Sequence, residues 1–589
     1  MQILGLASET HDTGLAILDN GEPALVLEEE RLNRQKHTLL FPSRSLKAAF
    51  DGPHRKLADI DVITTPWDTK RLRRTFFGAL FRKLPASLAL SLPKAHTTQD
   101  SGVVFLNFWM RRDLRAAFPD QALPPIVNVG HHESHAAIYF LSPFEDATVI
   151  VLDGYGDDSA SSVFTGQGNK LERRWHGPFF DSLGVVYTLM TLHLGFAPFE
   201  EGTVMALAAC GDDRYVAKMR ELIKLEPEGR FSIDMSYFSY DSMGMLRPFR
   251  RKFFDRFGPS RRRTDPLEDH HMALARALQA VTEDVVLHVA RAARSRFPSR
   301  NLVFTGGVAL NCVANGRLLH ESGFERVWVP PCASDTGAPL GSALWHHHQT
   351  LGHPRRSEMH HAYLGLEYSD AEIKGSLEAA GLTFERLDEA ALLSRAAEDL
   401  ACNRIVGWYQ GRYEIGPRAL GNRSILASPL TPGIRDVINK RVKFREPFRP
   451  FAPSVLEDYA ADYFELTHSD PFMTTATKVR PEKADSIPAA VHVDGTARVQ
   501  TVSAKANPLY YALIDQFRKR TGVPILLNTS FNKQEPIVTR PQDAISCYLR
   551  TEIDVLVLGN YYCVDRPAVA VQRARDAFEL IEANMSGGE

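Results

Sequence analysis

The chain opens on alternation. Gln2 to Ala7 reads as a strand, Ser8 to Thr13 as a polar turn, Gly14 to Leu18 as a second strand, Asp19-Asn20-Gly21 as a hairpin turn and Pro23 to Glu28 as a third strand. The same cadence returns from Ala147. Thr148 to Leu152 is a nearly continuous apolar strand, Asp153-Gly154-Tyr155-Gly156-Asp157 an acidic turn, Ala160 to Thr165 a strand and Gly166 to Asn169 another turn. Two copies of one unit predict a duplicated fold. Further on, Asn301 to Phe304 reads as a strand running into Thr305-Gly306-Gly307-Val308-Ala309 and a helix from Asn311, where amides at a helix start could meet a nucleotide. Arg326 to Val329 is one more strand, and Leu340 to Trp345 is helix-like. Periodicity then fails over HHHQTLGHPRRSEMHH, whose Gly-His-Pro stops a helix, so a domain boundary is expected near residues 350 to 362 and His346, His347, His348, His360 and His361 are expected at the surface. Beyond it, Pro524 to Leu527 reads as a strand ending in Asn528-Thr529-Ser530.

The pattern predicts an α/β protein. An acidic hairpin at the head of each of two α/β lobes resembles the actin, Hsp70 and sugar-kinase superfamily, which places phosphates and metal in a cleft between lobes. The expected division is a two-lobed domain over 1–355 and a second α/β domain over 356–589.

Composition narrows the function classes. A chain of 589 residues with 44% apolar residues supports several folding units with well-buried cores. Its 69 basic and 71 acidic residues nearly cancel, so no global field draws it to nucleic acid or to an anionic membrane, and any such binding must be local. Neither partner is expected, and oligomerisation is left open. Six scattered cysteines without a C-x-x-C pair suit a reduced compartment, and a cytoplasmic location is expected. The opening residues lack signal-peptide character. The most apolar stretch, Phe76 to Pro93, is broken by Arg82, Lys83 and two prolines, too interrupted to span a membrane. Two basic stretches, Lys70 to Lys83 and Arg247 to Arg263, read as insertions with solvated faces.

Candidate chemistry lies in two places. Between Gly407 and Pro453 nine basic residues stand against three acids. Arg412, Arg418 and Arg423 among the glycines, then Lys443, Arg445 and Arg449 among Phe444, Phe448 and Phe451, supply planar forks suited to phosphate, and imply a bound polyanion. The other place is His131-His132-Glu133-Ser134-His135, which puts two imidazoles four residues apart on one helix face. Asp153 ends a buried-looking strand and Asp335 follows another. Two histidines and two carboxylates make a mixed N/O ligand set that suits Fe(II) first, then Mn or Zn, better than Ca or Mg.

Ordered motifs along nearly the whole chain resemble the O-carbamoyltransferase family of nodulation-factor and antibiotic biosynthesis. They include Glu29-Glu30-Arg31-Leu32-Asn33-Arg34-Gln35-Lys36-His37, His131-x-x-x-His135, Ser182-Leu183-Gly184-x-x-Tyr187, Gly306-Gly307-Val308-Ala309-x-Asn311, Gly416-Pro417-Arg418-Ala419-Leu420-Gly421-Asn422-Arg423-Ser424, Lys443-x-Arg445-Glu446-x-Phe448-Arg449 and His492-x-Asp494-Gly495-Thr496-Ala497-Arg498. The resemblance implies a C-terminal domain similar to the YrdC-type synthase, which makes carbamoyl adenylate from carbamoyl phosphate and Mg-ATP with Arg418, Arg423, Lys443, Arg445, Arg449, Arg498, Asn528 and Ser530. It implies an N-terminal metal-dependent domain that passes the carbamoyl group to a hydroxyl of a small-molecule acceptor. There His131, His135, Asp153 and Asp335 hold the metal and Lys36, Gly306, Gly307 and Asn311 the adenylate. Read from the residues themselves, His11 and Asp12 in the first acidic turn, with His37 behind them, are the candidates for deprotonating the acceptor, because a base of near-neutral pKa should face the cleft. Where members commonly carry a lysine after Glu-Gly, this chain reads Glu201-Gly202-Thr203. A tRNA-modifying threonylcarbamoyl transferase is the alternative implied by the same domain similarity.

Overall fold

The computed structural model describes residues 1–51, 55–92 and 105–586. Pro93, the end of the apolar stretch singled out above, lies outside them. Two compact units divide the chain, Met1–Met359 and His360–Glu589.

The first unit contains the duplication. Its first sheet comprises β1 (Gln2–Ala7), β2 (Gly14–Asp19), β3 (Glu22–Glu28), β4 (Val62–Thr65) and β5 (Ile126–Asn128), in the order β3-β2-β1-β4-β5. The second comprises β6 (Asp146–Leu152), β7 (Ser161–Gln167), β8 (Lys170–His176), β11 (Asn301–Thr305) and β12 (Arg326–Trp328), in the order β8-β7-β6-β11-β12, with a small separate hairpin of β9 (Ile223–Leu225) and β10 (Phe231–Ile233) between them in sequence. Each sheet is an antiparallel meander of three strands continued by two parallel ones. This is the two-lobed actin and sugar-kinase architecture that the repeated hairpin implied. The central strands are apolar on both faces because helices cover both faces: Ile3, Leu4 and Leu6 of β1 and Val149 and Val151 of β6 have no exposed surface.

Two helices bring the site together. Ala338–Leu344 packs on His131–Ala137 so closely that a Cβ at Gly341 would lie 1.9 Å from the Ser134 carbonyl oxygen. Only glycine fits there. The Ser342 hydroxyl meets the Thr64 hydroxyl at 2.9 Å, tying the same helix to β4.

One expectation fails here. His346, His347 and His348 are buried rather than exposed, because the helix continues past Leu344 as a π turn over Trp345–Thr350 that tucks their rings inward. His347 packs against Gly21 and His348 against Phe140, the ring centroids 4.8 Å apart. His360 and His361 are exposed, as expected. The Lys70–Lys83 stretch is mostly the helix Thr69–Arg82, with Leu72 and Ala79 inward, and Arg251–Phe257 is a short helix that buries Phe253 and Phe257.

The second unit is built on one mixed eight-stranded sheet in the order β13-β22-β21-β14-β15-β20-β16-β19. Its members are β13 (Glu385–Arg386), β14 (Val406–Tyr409), β15 (Arg423–Ala427), β16 (Ala452–Leu456), β19 (Gln500–Val502), β20 (Ile525–Ser530), β21 (Val555–Leu558) and β22 (Tyr561–Cys563), while β17 (Ala476–Lys478) and β18 (Thr496–Arg498) pair separately. The basic segment runs through β14, β15 and the start of β16, so its backbone is framework.

Candidate functional site

In the first unit four side chains from three segments converge. His131 and His135 stand one turn apart on their helix, Asp153 follows β6, and Asp335 opens the turn into Ala338–Leu344. All four are buried. His131 Nε2 lies 3.1 Å from Asp153 Oδ2 and 3.5 Å from Asp335 Oδ1, and His135 Nε2 lies 3.3 and 3.4 Å from the same two oxygens. The two Nε2 atoms are 3.2 Å apart. Bonds of about 2.0–2.2 Å from one tetrahedral cation would set donor–donor edges of roughly 3.3–3.6 Å. The observed separations agree to within a few tenths of an ångström, so the donor set fits a divalent transition metal.

The surroundings fix the donors. His131 Nδ1 faces the Pro66 carbonyl at 3.2 Å, which turns Nε2 toward the carboxylates, and Trp67 stacks on the ring at 4.1 Å. Asp157 accepts the His131 amide at 2.7 Å and the Asp68 amide at 2.9 Å, clasping the helix start to the loop that carries Pro66 and Trp67. Burial pushes this Asp157 carboxyl up to about 8 despite those bonds. Burial opposes charge in the four donors too. Their mutual attraction prevails, raising His131 and His135 and lowering Asp153 and Asp335.

His11, Asp12 and His37 adjoin this cluster. His11 Nδ1 is 3.0 Å from Asp12 Oδ2, His37 Nδ1 is 2.8 Å from Asp12 Oδ1, and His11 Nε2 is 3.5 Å from Asp335 Oδ2. Phe199 stacks on His37 at 3.9 Å, and Glu30 accepts the His37 amide at 2.9 Å. Burial works against a charged His11, yet Asp335 and Asp12 outweigh it and raise its pKa to about 9. A cation among the four donors acts in the opposite direction.

The expected nucleotide contacts of this unit need revision. Lys36 is exposed beside His37, on the same connection. The Gly306 amide, however, bonds the Ala333 carbonyl at 2.9 Å and the Gly307 amide bonds Asp153 Oδ1 at 2.9 Å, so the glycine turn orients a carboxylate of the quartet and neither amide is left for phosphate. Gly306 has φ of +89°, and a Cβ there would meet the Leu152 carbonyl oxygen at 2.3 Å. Asn311 caps the helix Cys312–Glu321 through the Ala314 amide and exchanges two bonds with Gln279, which takes up its side-chain amide. Thr203 is buried in the helix Glu201–Ala208.

In the second unit the basic segment separates into two kinds of residue. Arg423, expected at phosphate, is fully buried: its guanidinium bonds the carbonyls of Gln410, Gly411 and Asn422 and lies 3.6 Å over the Tyr409 ring. Lys443 is also buried, its ammonium enclosed by the carbonyls of Ser530 and Asn532, by Asn532 Oδ1 at 2.7 Å and by the Ser530 hydroxyl. Asn528 is buried, its amide donating to Ala419, Ser454 and Gln500. These three build the loops, because a buried charge or amide must satisfy its donors locally. Glu414, absent from the expected site, does similar work by accepting the amides of Leu420, Asn422 and Arg423.

Arg445, Arg449 and Arg498 behave differently. Burial, together with the positive charges of Arg449 and Arg498, lowers Arg445 to about 9 against the opposing pull of Glu446. Glu446 sits 4.0 Å from Arg449. Asn439 Oδ1 holds Arg445 Nε at 2.8 Å, and Phe451 backs its guanidinium at 4.7 Å. Arg418 is half-buried in the loop that Glu414 anchors, and the Ser530 hydroxyl bonds Asn532 Oδ1 at 2.8 Å.

With this geometry in hand, comparison with known proteins identifies the family. The carbamoyltransferase N-terminus model matches residues 2–344 and the carbamoyltransferase C-terminus model residues 397–565. Nodulation protein NolNO of Sinorhizobium fredii is 37% identical over 97% of this chain and 81% of its own length. Nodulation protein NolO of Bradyrhizobium diazoefficiens is 39% identical over 75% of this chain and 79% of its own, and the uncharacterized protein sll1178 of Synechocystis is 37% identical over 95% and 96%. The chain belongs to the carbamoyltransferase family and is a carbamoyltransferase.

Proposed function

We propose that this carbamoyltransferase is an ATP-dependent enzyme that works in two stages, adenylation by residues 356–589 and transfer to a small-molecule hydroxyl by residues 1–355. The observation that carries the reading is the His11–Asp12–His37 array, 3.5 Å from a carboxylate of the metal-fitting quartet. Attack by a hydroxyl on a carbamoyl carbon needs a proton acceptor beside the polarised carbonyl.

Atom balance sets the sequence. Carbamoyl phosphate and water give carbamate and phosphate; carbamate oxygen attacks the α-phosphorus of Mg-ATP, forming carbamoyl adenylate and releasing pyrophosphate. The acceptor oxygen then bonds the carbamoyl carbon, the carbon–oxygen bond to AMP breaks, and the hydroxyl proton goes to His11 or His37. Arg445, Arg449 and Arg498 hold the phosphates and stabilise charge at the α-phosphorus, with Arg418 and Ser530 at the edge of the same loops. Lys36 steadies the adenylate in the first unit. His131, His135, Asp153 and Asp335 hold the cation, Fe(II) first and then Mn or Zn, which when bound supplies a Lewis acid for the carbamoyl oxygen. Asp12 orients both imidazoles through its two oxygens.

The test uses purified protein loaded with Fe(II), given ATP and carbamoyl phosphate. Pyrophosphate should appear only when both are present, and candidate hydroxylated metabolites should gain about 43 Da, one carbamoyl in place of hydrogen. No carbamoyl-phosphate-dependent pyrophosphate would overturn the first stage; pyrophosphate with no acceptor gaining mass, RNA included, would overturn the second.

A further inference from the structure

Seven of the eighteen large apolar side chains that are exposed among the described residues fall between Phe77 and Phe108: Phe77, Phe81, Leu84, Leu88, Leu92, Phe105 and Phe108. Such a concentration on one short stretch is unlike the scattered exposure of ordinary surfaces. Phe77 and Phe81 stand one turn apart on Thr69–Arg82, on the face away from Leu72 and Ala79. Leu84, Leu88 and Leu92 are exposed beyond the end of that helix, in and around the 3-10 helix Ala86–Ser91, and Arg73 lies 5.6 Å over the Phe105 ring, joining the start of the helix Leu106–Ala117 to the helix Thr69–Arg82.

The charge pattern is one-sided. Residues 69–92 hold six basic side chains and no acid. Arg71 and Lys83 face Glu133 and Asp241, while Lys70, Arg73, Arg74 and Arg82 on the same helix are exposed. Arg111, Arg112 and Arg115 with the single Asp113 add to the excess on Leu106–Ala117.

We propose that this surface docks the enzyme on an anionic lipid bilayer, with Phe77, Phe81 and the three leucines entering the headgroup boundary and the surrounding arginines and lysines meeting lipid phosphate. Alternating large apolar and cationic side chains on short helices is the composition of an interfacial anchor. A second copy of the chain fits poorly, because a two-fold interface would set this excess of positive charge against itself. RNA fits poorly because three of the seven apolar side chains, Leu84, Leu88 and Leu92, are aliphatic and offer no ring on which a base could stack. The association is superficial: no helix among the described residues is long and apolar enough to cross a membrane. It is also local, as the balanced overall charge requires.

The experiment is co-sedimentation of the full-length protein with vesicles of phosphatidylcholine, alone or with about 30 mol% phosphatidylserine. Binding to the anionic vesicles should exceed binding to neutral ones by roughly tenfold at low salt and fall as salt rises. Phe77→Ser/Phe81→Ser and, separately, Lys70→Glu/Arg74→Glu should lose that binding while retaining the wild-type melting temperature, since these side chains are exposed. Equal binding to both vesicle types, or unchanged binding by both variants, overturns the proposal. So does a dimer in analytical ultracentrifugation, or RNA binding, that the same substitutions abolish while vesicle binding persists.

Discussion

The two candidate sites invert what their sequences advertise. The basic segment of the second unit is contiguous and conspicuous, yet Arg423 and Lys443 are enclosed by their own loops. The quartet of the first unit is spread over more than two hundred residues, yet its donor atoms all lie within 4.8 Å of one another. Charge density along a chain counts groups, whereas a site needs groups that converge on one place. By that measure the nearest equivalent of the quartet in the second unit is the trio of Arg445 with Arg449 and Arg498, whose positive charges join burial in depressing Arg445 while Glu446 offsets part of them.

Substitution of the quartet gives the largest expected effect. His131→Ala removes a donor that nothing adjacent replaces, and should abolish acceptor carbamoylation, at least about 10³-fold, while pyrophosphate release persists. Loss of both activities together would erase the division between the units.

Removing one cation of the trio is the next break point. Arg449→Ala or Arg498→Ala should slow pyrophosphate release by about 10²-fold with a melting temperature near wild type. Arg423→Ala sharpens the contrast by failing in the other way: three carbonyls lose their donor, and stability should drop by about 3 kcal/mol, read as a lower denaturation midpoint. If Arg423→Ala melts like wild type and loses only turnover, Arg423 belongs with the trio and the distinction collapses.

The smallest effect concerns neither site. Burial, with His348 and His353 beside it, lowers His347 to about 4, and His346 and His348 are lowered as well. Between about pH 6.5 and 4 the unfolded chain therefore binds more protons than the folded one, so stability falls as pH drops through that window. His347→Gln should recover about 1–2 kcal/mol of the loss seen at pH 5, measured by denaturant melts at pH 5 and 7.

Much of this was legible beforehand. Strand positions in both lobes followed from alternation, and the quartet followed from residue type, since a His pair at helical spacing and carboxylates at strand ends are local signatures. The trio's separation from Arg423 was not legible, because whether an arginine faces ligand or carbonyl depends on loop closure, here set by Glu414. Asp157 gave a partial signal as the last acid of a turn, but its two amide bonds join segments 26 and 89 residues away. The buried histidines at 346–348 misled because a π turn carries a helix past the point where a 3.6-residue pattern breaks.

Gly341 has a lasting consequence. With no room for even a methyl group between the two helices, the imidazoles and Asp335 are geared to one another. Any graft of new acceptor specificity onto this scaffold has to leave that contact alone, since a substitution there would detune catalysis without touching a single reacting group.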